Sequence, residues 1–156
     1  MPKKRKLCTF FLDETLFGIE VEKVQEVVRH LEMTRVPLAP PVVGGLINLR
    51  GQIVTTIDLR MRLGLGPRSA ERLATNIVLE EEGGSVSLCI DEISGVLEVP
   101  EDAFEDPPES LGESWRELIR GVYKLPERLL LVLNVERVAD ITADFTGSAP
   151  MGRKSP

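Results

Sequence analysis

Histidine, cysteine and aromatic side chains are scarce in this 156-residue chain, and each shortage closes a route. The one histidine, His30, has no cysteine at ligand spacing and no paired nucleophile, which argues against a zinc site and against histidine-dependent covalent catalysis. Cys8 and Cys89 stand apart in apolar runs without a C-x-x-C spacing, so they read as reduced core residues of a cytosolic protein. With five phenylalanines, one tryptophan and one tyrosine, valine, leucine and isoleucine must fill the interior, a mixture that favours strands.

Other absences narrow the class further. No run approaches the ~20 apolar residues needed to span a bilayer, and no basic-then-apolar leader is evident, so the chain is expected to be neither exported nor embedded. The glycines of "VVGG", "RLGLG" and "EEGGS" form neither G-x-x-x-x-G-K-S/T nor G-x-G-x-x-G, which leaves no phosphate cradle. The formal net charge of −6 opposes a nucleic-acid role unless a basic face is segregated. No cofactor or metal ligand set stands out.

What is present is acidic, β-rich and repetitive. The acids cluster at Glu80 to Glu82, at Asp91 and Glu92, and in "PEDAFEDPPES" from Pro100, alternating with turn residues as solvated hairpin ends do. The opening "PKKRK" reads as a basic disordered tail over residues 1–6. A folded region is expected over 7–142, and a flexible tail over 143–156.

"LCTFFLD" followed by "TLFGIEV" signals strand, turn, strand. In "VEKVQEVV" the spacing of Val21, Val24, Val27 and Val28 predicts a short helix. "RVPLAPPVVGG" interrupts with prolines and glycines. Then Leu46 to Leu49 forms a strand, Arg50 and Gly51 the turn, and Ile53 to Ile57 the return. Asp58 is placed to cap the next helical turn and Gly64 to end it. "NIVLEEE" and "SVSLCID" around Gly83 and Gly84 make a further hairpin.

An internal echo ties these pieces together. Shifted by 76 positions, "GLINLRGQIVTTIDLRMRL" from Gly45 lies without gaps on "GVYKLPERLLLVLNVERVA" from Gly121, with Asp58 falling on Asn134. A fainter match sets "GIEVEKVQEVV" against "CIDEISGVLEV", with about two residues fewer in the second copy. Two short β units, each too small for a core of its own, are expected to pack on one another.

The segment "NLRGQIVTTIDLRMRLGL" resembles the signature of the CheW coupling-protein family of bacterial chemotaxis, and the likeness runs in order from about Cys8 to Ile141. It takes in "FFLDETLFGIEVEKVQEVV", "RVPLAPPVVGGLINLRG", "LCIDEISGVLEV" and "LIRGVYKLPERLLLVLNVERV". The resemblance implies a mainly β fold of two small SH3-like five-stranded β-barrels, intertwined over a shared apolar core with short helices. It also implies a non-catalytic adaptor joining the cytoplasmic tips of methyl-accepting chemoreceptors to the regulatory domain of a CheA-type histidine kinase, in the cytoplasm at receptor arrays.

Carried onto this sequence, the resemblance puts receptor binding at Val24, Glu26, Val27, Arg50 and Val96, with a Glu26 to Arg50 ion pair at the edge of a groove. It puts kinase contacts at Val42 and Val43 and in the loop from Glu105 to Leu111. Arg60 and Arg62 either shield strand ends, pair with nearby acids or meet a partner. Two departures stand out: Thr55 where the family usually has proline, and a strongly acidic "EDPPESLGESW" loop. A module that binds receptors without engaging a kinase is the second reading, and an acidic-site hydrolase on a β scaffold the third.

Overall fold

The computed structural model describes residues 3–29, 31–69, 74–81 and 83–141. His30, Glu82 and the expected tail over 143–156 lie outside the described residues. Among the described residues ten strands dominate: β1 Lys4–Leu12, β2 Thr15–Glu20, β3 Val24–Arg29, β4 Val43–Leu49, β5 Gln52–Asp58, β6 Thr75–Glu81, β7 Gly84–Ile90, β8 Glu92–Pro100, β9 Ile119–Lys124 and β10 Leu129–Leu133. Three short helices accompany them: α1 Leu59–Arg62, α2 Glu113–Leu118 and α3 Val135–Ala139.

The strands form two five-stranded sheets, ordered β8-β1-β2-β10-β9 and β3-β6-β7-β5-β4. Each mixes the halves of the chain. The first takes β1 and β2 from the first half and β8, β9 and β10 from the second; the other sheet does the reverse. The second sheet is the unbroken run β3 to β7, set between the β1–β2 and β8–β10 portions of the first.

The 76-residue echo holds pair by pair. Ile47 faces Val54 in the β4–β5 hairpin as Tyr123 faces Leu130 in β9–β10, and Gly45 faces Thr56 as Gly121 faces Val132. Both hairpins carry a bulge at the same place. A strap crosses each: Thr34 bridges Leu46 and Glu105 bridges Val122. The straps explain two glycines. A Cβ on Gly45 would lie 2.6 Å from the Thr34 carbonyl oxygen, and one on Gly121 would lie 2.5 Å from that of Glu105.

Helix caps repeat as well. Asp58 accepts hydrogen bonds from the amides of Arg60 and Met61, and Asn134 accepts from that of Arg137. Gly64 follows α1 at φ +73°, as a left-handed stop requires.

The fainter match needs correction. Thr9 pairs Gly18 and Gly95, while Val78 pairs Ser87 and Glu26, so Gly18 corresponds to Ser87 and Glu26 to Gly95. The offset is 69 with no residues lost, and Val27 corresponds to Val96.

The helix expected over Val21 to Val28 is also overturned. Only Val21–Lys23 makes a 3-10 turn, and Val24–Arg29 is an edge strand on β6. A bulge at Gln25 adds one residue to the strand's alternation, so Val24 and Val27, opposite Leu79 and Ile77 on one face, fall three apart as on a helix, while Val28 turns to the other face. The bonds available along β6 and the β-branched valines then outweigh the local pattern. The basic opening differs too: Lys4 to Lys6 belong to β1, with Lys4 opposite Pro100, so the tail expected over 1–6 stops short of Lys4.

Burial follows the exchange. One apolar cluster joins Phe10, Phe17, Leu131 and Leu133 of the first sheet to Ile57, Ile77, Leu88 and Ile90 of the other. Two smaller clusters fill the individual barrels, around Tyr123 with Leu130 and around Ile47 with Val54. Cys8 and Cys89 are free and buried. Among the described residues no helix is long and apolar enough to cross a membrane.

Candidate functional site

The β4–β5 turn contains only Arg50 and Gly51, at φ +52° and +87°, the double left-handed geometry that matches strand twist in a two-residue hairpin. Asn48 fixes this turn, its side-chain oxygen accepting from the Gly51 amide at 2.8 Å. The guanidinium of Arg50 is thereby held outside the barrel. It reaches across to β3 and grips the Glu26 carboxylate with both terminal nitrogens, Nη1 donating to Oε1 at 3.1 Å and Nη2 to Oε2.

Arg50 remains 68% exposed in this pair, whereas the Glu26 side chain is only 25% exposed. Hydrogen bonding from Arg50 holds the Glu26 carboxyl below the usual glutamate range, and the carboxylate in turn raises the guanidinium. Arg50 and Glu26, 24 positions apart in the chain, are thus brought together as expected, with Glu26 on a strand rather than a helix.

The valines assigned to the same site divide. Val24 packs half-buried against the shared core. Val27 and Val96 are 38% and 67% exposed. They occupy equivalent positions on two of the edge strands, β3 and β8, opposite Ile77 and Cys8 of the shared core cluster, so both lie at the open margin of the faces that the two sheets turn toward each other.

The pseudo-symmetry breaks around them. Where one half has Glu26 and Arg50, the other has Gly95 and Pro126. No ion pair can form between those residues. An open groove of about 350 Å³ lies there, walled by Phe11, Leu16, Val96, Leu97 and Leu125. The guanidinium of Arg128 stacks over the Phe11 ring beside it, 5.1 Å from the centroid.

The residues assigned to kinase contact sit at two other places. Val43 begins β4 and lines a concavity of about 390 Å³ with Met33, Pro40, Pro41 and Met61. Val42 is half-buried, its carbonyl accepting from the Asp58 amide at 2.7 Å. Glu105 lies in the strap on β9 and faces Lys124 at 3.4 Å. Leu111, expected on an exposed loop, turns inward and packs on the shared core.

Arg60 and Arg62 have structural partners. Buried Arg60 donates through Nη1 to Asp13 at 2.8 Å and to Asp91 at 2.7 Å, joining the β1–β2 turn to the β7–β8 junction. Arg62 donates to the carbonyls of Arg137, Val138 and Asp140, closing the C-terminal end of α3 from the opposite half.

Sequence reasoning passed over one group of side chains. Arg116, Arg120 and Arg137 share a concavity of about 710 Å³ with Phe104, Ile119 and Asn134. Reading the 76-residue echo for its differences would have found them, because Arg116 replaces Pro40, Arg120 replaces Gly44 and Arg137 replaces Met61.

Comparison with known proteins agrees with this architecture. The profile of the CheW-like domain matches residues 6–142. The chain is 31% identical over 137 residues to the chemotaxis protein CheW of Treponema pallidum (strain Nichols), covering 85% of this chain and 81% of that one. It is 30% identical over 135 residues to the chemotaxis protein CheW of Bacillus subtilis (strain 168), covering 86% of each. The crystal structure of the scaffolding protein TtCheW from Thermoanaerobacter tengcongensis superposes with a TM-score of 0.78 at 29% identity, over 90% of this chain and 94% of that one. With ten strands in two exchanged sheets and the family profile spanning nearly all of them, the chain belongs to the CheW-like domain family.

Proposed function

We propose that this protein is a non-catalytic adaptor that couples the cytoplasmic tips of methyl-accepting chemoreceptors to the regulatory domain of a CheA-type histidine kinase at cytoplasmic receptor arrays. The observation that carries this reading is the Glu26–Arg50 pair, held at an exposed hairpin tip with its guanidinium largely in solvent. A bidentate pair at the rim of an apolar surface can exchange one carboxylate for another or stay closed beside a docked helix. Either way it ties helix placement to a specific contact. Val27 and Val96 supply the apolar part of that surface.

Kinase contact falls on the two remaining ends of the molecule, at Val42 and Val43 in one half and at the strap around Glu105 in the other. These ends are related by the internal repeat, since Thr34 and Glu105 cross equivalent hairpins. A partner built from the same kind of barrel would meet similar β surfaces at either end.

The test is autophosphorylation of the cognate CheA with receptor clusters, with and without this protein. A strong receptor-dependent rise is expected, and Arg50→Ala should abolish most of it by lowering affinity for the receptor tip about tenfold. An unchanged kinase rate together with retained receptor binding would replace this reading with that of a receptor-only module. Retained affinity in Arg50→Ala would remove the ion pair from the receptor site.

A further inference from the structure

The equivalent concavities at the two ends of the repeat have diverged in charge. In the first half the positions are Pro40, Gly44, Asp58 and Met61; in the second they are Arg116, Arg120, Asn134 and Arg137. Three arginines have thus taken the places of a proline, a glycine and a methionine, and an amide that of a carboxylate. Nothing in the fold calls for the change, because both hairpins keep the same register, bulge and cap.

Two of the three charges are unspent. Arg120 donates to Glu20 at 3.0 Å, but the guanidiniums of Arg116 and Arg137 have no hydrogen-bond or ion-pair partner among the described residues. The elements that carry them are fixed from beneath. Trp115 turns inward from α2, donating to the Leu63 carbonyl at 2.8 Å and packing on Phe17, which leaves Arg116 outward. Asn134 caps α3 through the Arg137 amide at 3.1 Å. These are charges on a rigid frame in a chain whose net charge is −6.

We propose that this concavity docks an acidic peptide segment of a partner protein, with spaced carboxylates meeting Arg116 and Arg137 and an apolar residue between them resting on Ile119 and Phe104. Its volume of about 710 Å³ suits a short stretch of chain. Glu113 and Glu117 also line it, and their charge opposes a dense anion such as phosphate or an anionic membrane, while a chain with separated carboxylates can pass between them. The site rests on the same end of the molecule that the coupling role assigns to the kinase, sharing Phe104 and Pro107 with the strap around Glu105, and its test needs neither receptor nor kinase.

The probe is a fluorescently labelled octapeptide of alternating glutamate and leucine, followed by anisotropy, with glutamine replacing glutamate in the control. The intact protein should bind the acidic peptide and not the control, and binding should weaken steadily with added salt. Arg116→Ala and Arg137→Ala should each weaken it about five- to tenfold, Arg→Lys should recover part of the loss, and Glu117→Gln should tighten binding severalfold. Unaltered melting curves confirm that the variants are folded. Failure to bind, equal binding of the glutamine control, or affinity unmoved by the alanine variants overturns the proposal. Displacement of the peptide by inorganic phosphate or by phosphatidylserine vesicles at comparable concentration also overturns it, in favour of a simple anion or headgroup site.

Discussion

Asparagine and glycine are the usual residues at the first position of a two-residue hairpin turn, and Arg50 occupies it at φ +52°. Arg50→Asn should therefore keep the hairpin and its melting temperature while removing the grip on Glu26, separating the turn's role in folding from the side chain's role in docking. The Glu26 carboxyl reports the same pair. Its value in the folded protein lies below the ordinary glutamate value of about 4.3. The stabilisation it brings is complete above that ordinary value and is lost as pH falls through the folded value beneath it. Carboxyl carbon NMR should find Glu26 titrating low in the intact protein and returning toward the ordinary range in Arg50→Ala. A second strained residue is Leu38, fully exposed at φ +64° after Pro37. Leu38→Asn should raise stability by about 0.5–1 kcal/mol in a denaturant titration, since asparagine accepts this conformation more readily and no buried contact is lost.

At the scale of elements, the hairpin-and-strap unit recurs, and its glycines are its tightest points. Gly45→Ala should cost at least about 2 kcal/mol by chemical denaturation, because the new methyl meets the Thr34 carbonyl and the residue sits at φ +149°. Gly121→Ala should do as much, with the Phe104 ring 2.3 Å from the added carbon. Replacing the cap Asp58 or Asn134 by alanine should cost about 1 kcal/mol each. These hairpins, caps and their repeat were legible in the sequence because turn chemistry and capping act over a few residues. The edge strand β3 was not, since a bulge disguised its period and its partner β6 lies some 50 positions away by the register Val27 to Ile77. The bulge falls at the same place in β8 and leaves the offset of 69 unbroken; the fainter alignment is two residues off because alternating apolar residues match at any even shift. Arg50 and Glu26 could be paired from the family resemblance, but the arginines of the second concavity appear only when the repeat is read for what it does not conserve.

Across the whole molecule, the exchange of strands makes the halves interdependent. Neither half holds a complete sheet, the apolar cluster draws on both, and the buried Arg60 bridges Asp13 and Asp91 between them. A single cooperative transition is expected by calorimetry, with the calorimetric and van't Hoff enthalpies equal. Fragments divided in the connection between α1 and β6 should each be largely unfolded alone and should regain the native circular dichroism spectrum when mixed. Two separate transitions, or one fragment folding by itself, would contradict the shared core.

The register-matched hairpins make each half resemble one subunit of a two-fold dimer whose last three strands, β3–β5 and β8–β10, have been traded. A true dimer of that kind has two identical ends, and any contact one end makes the other can make as well. Joining the copies in a single chain releases this constraint. One end here is lined by prolines and methionines with one arginine and one aspartate, the other by three arginines and two glutamates. The molecule has therefore acquired a head and a tail, and a row assembled from it has a direction along which unlike neighbours can be ordered.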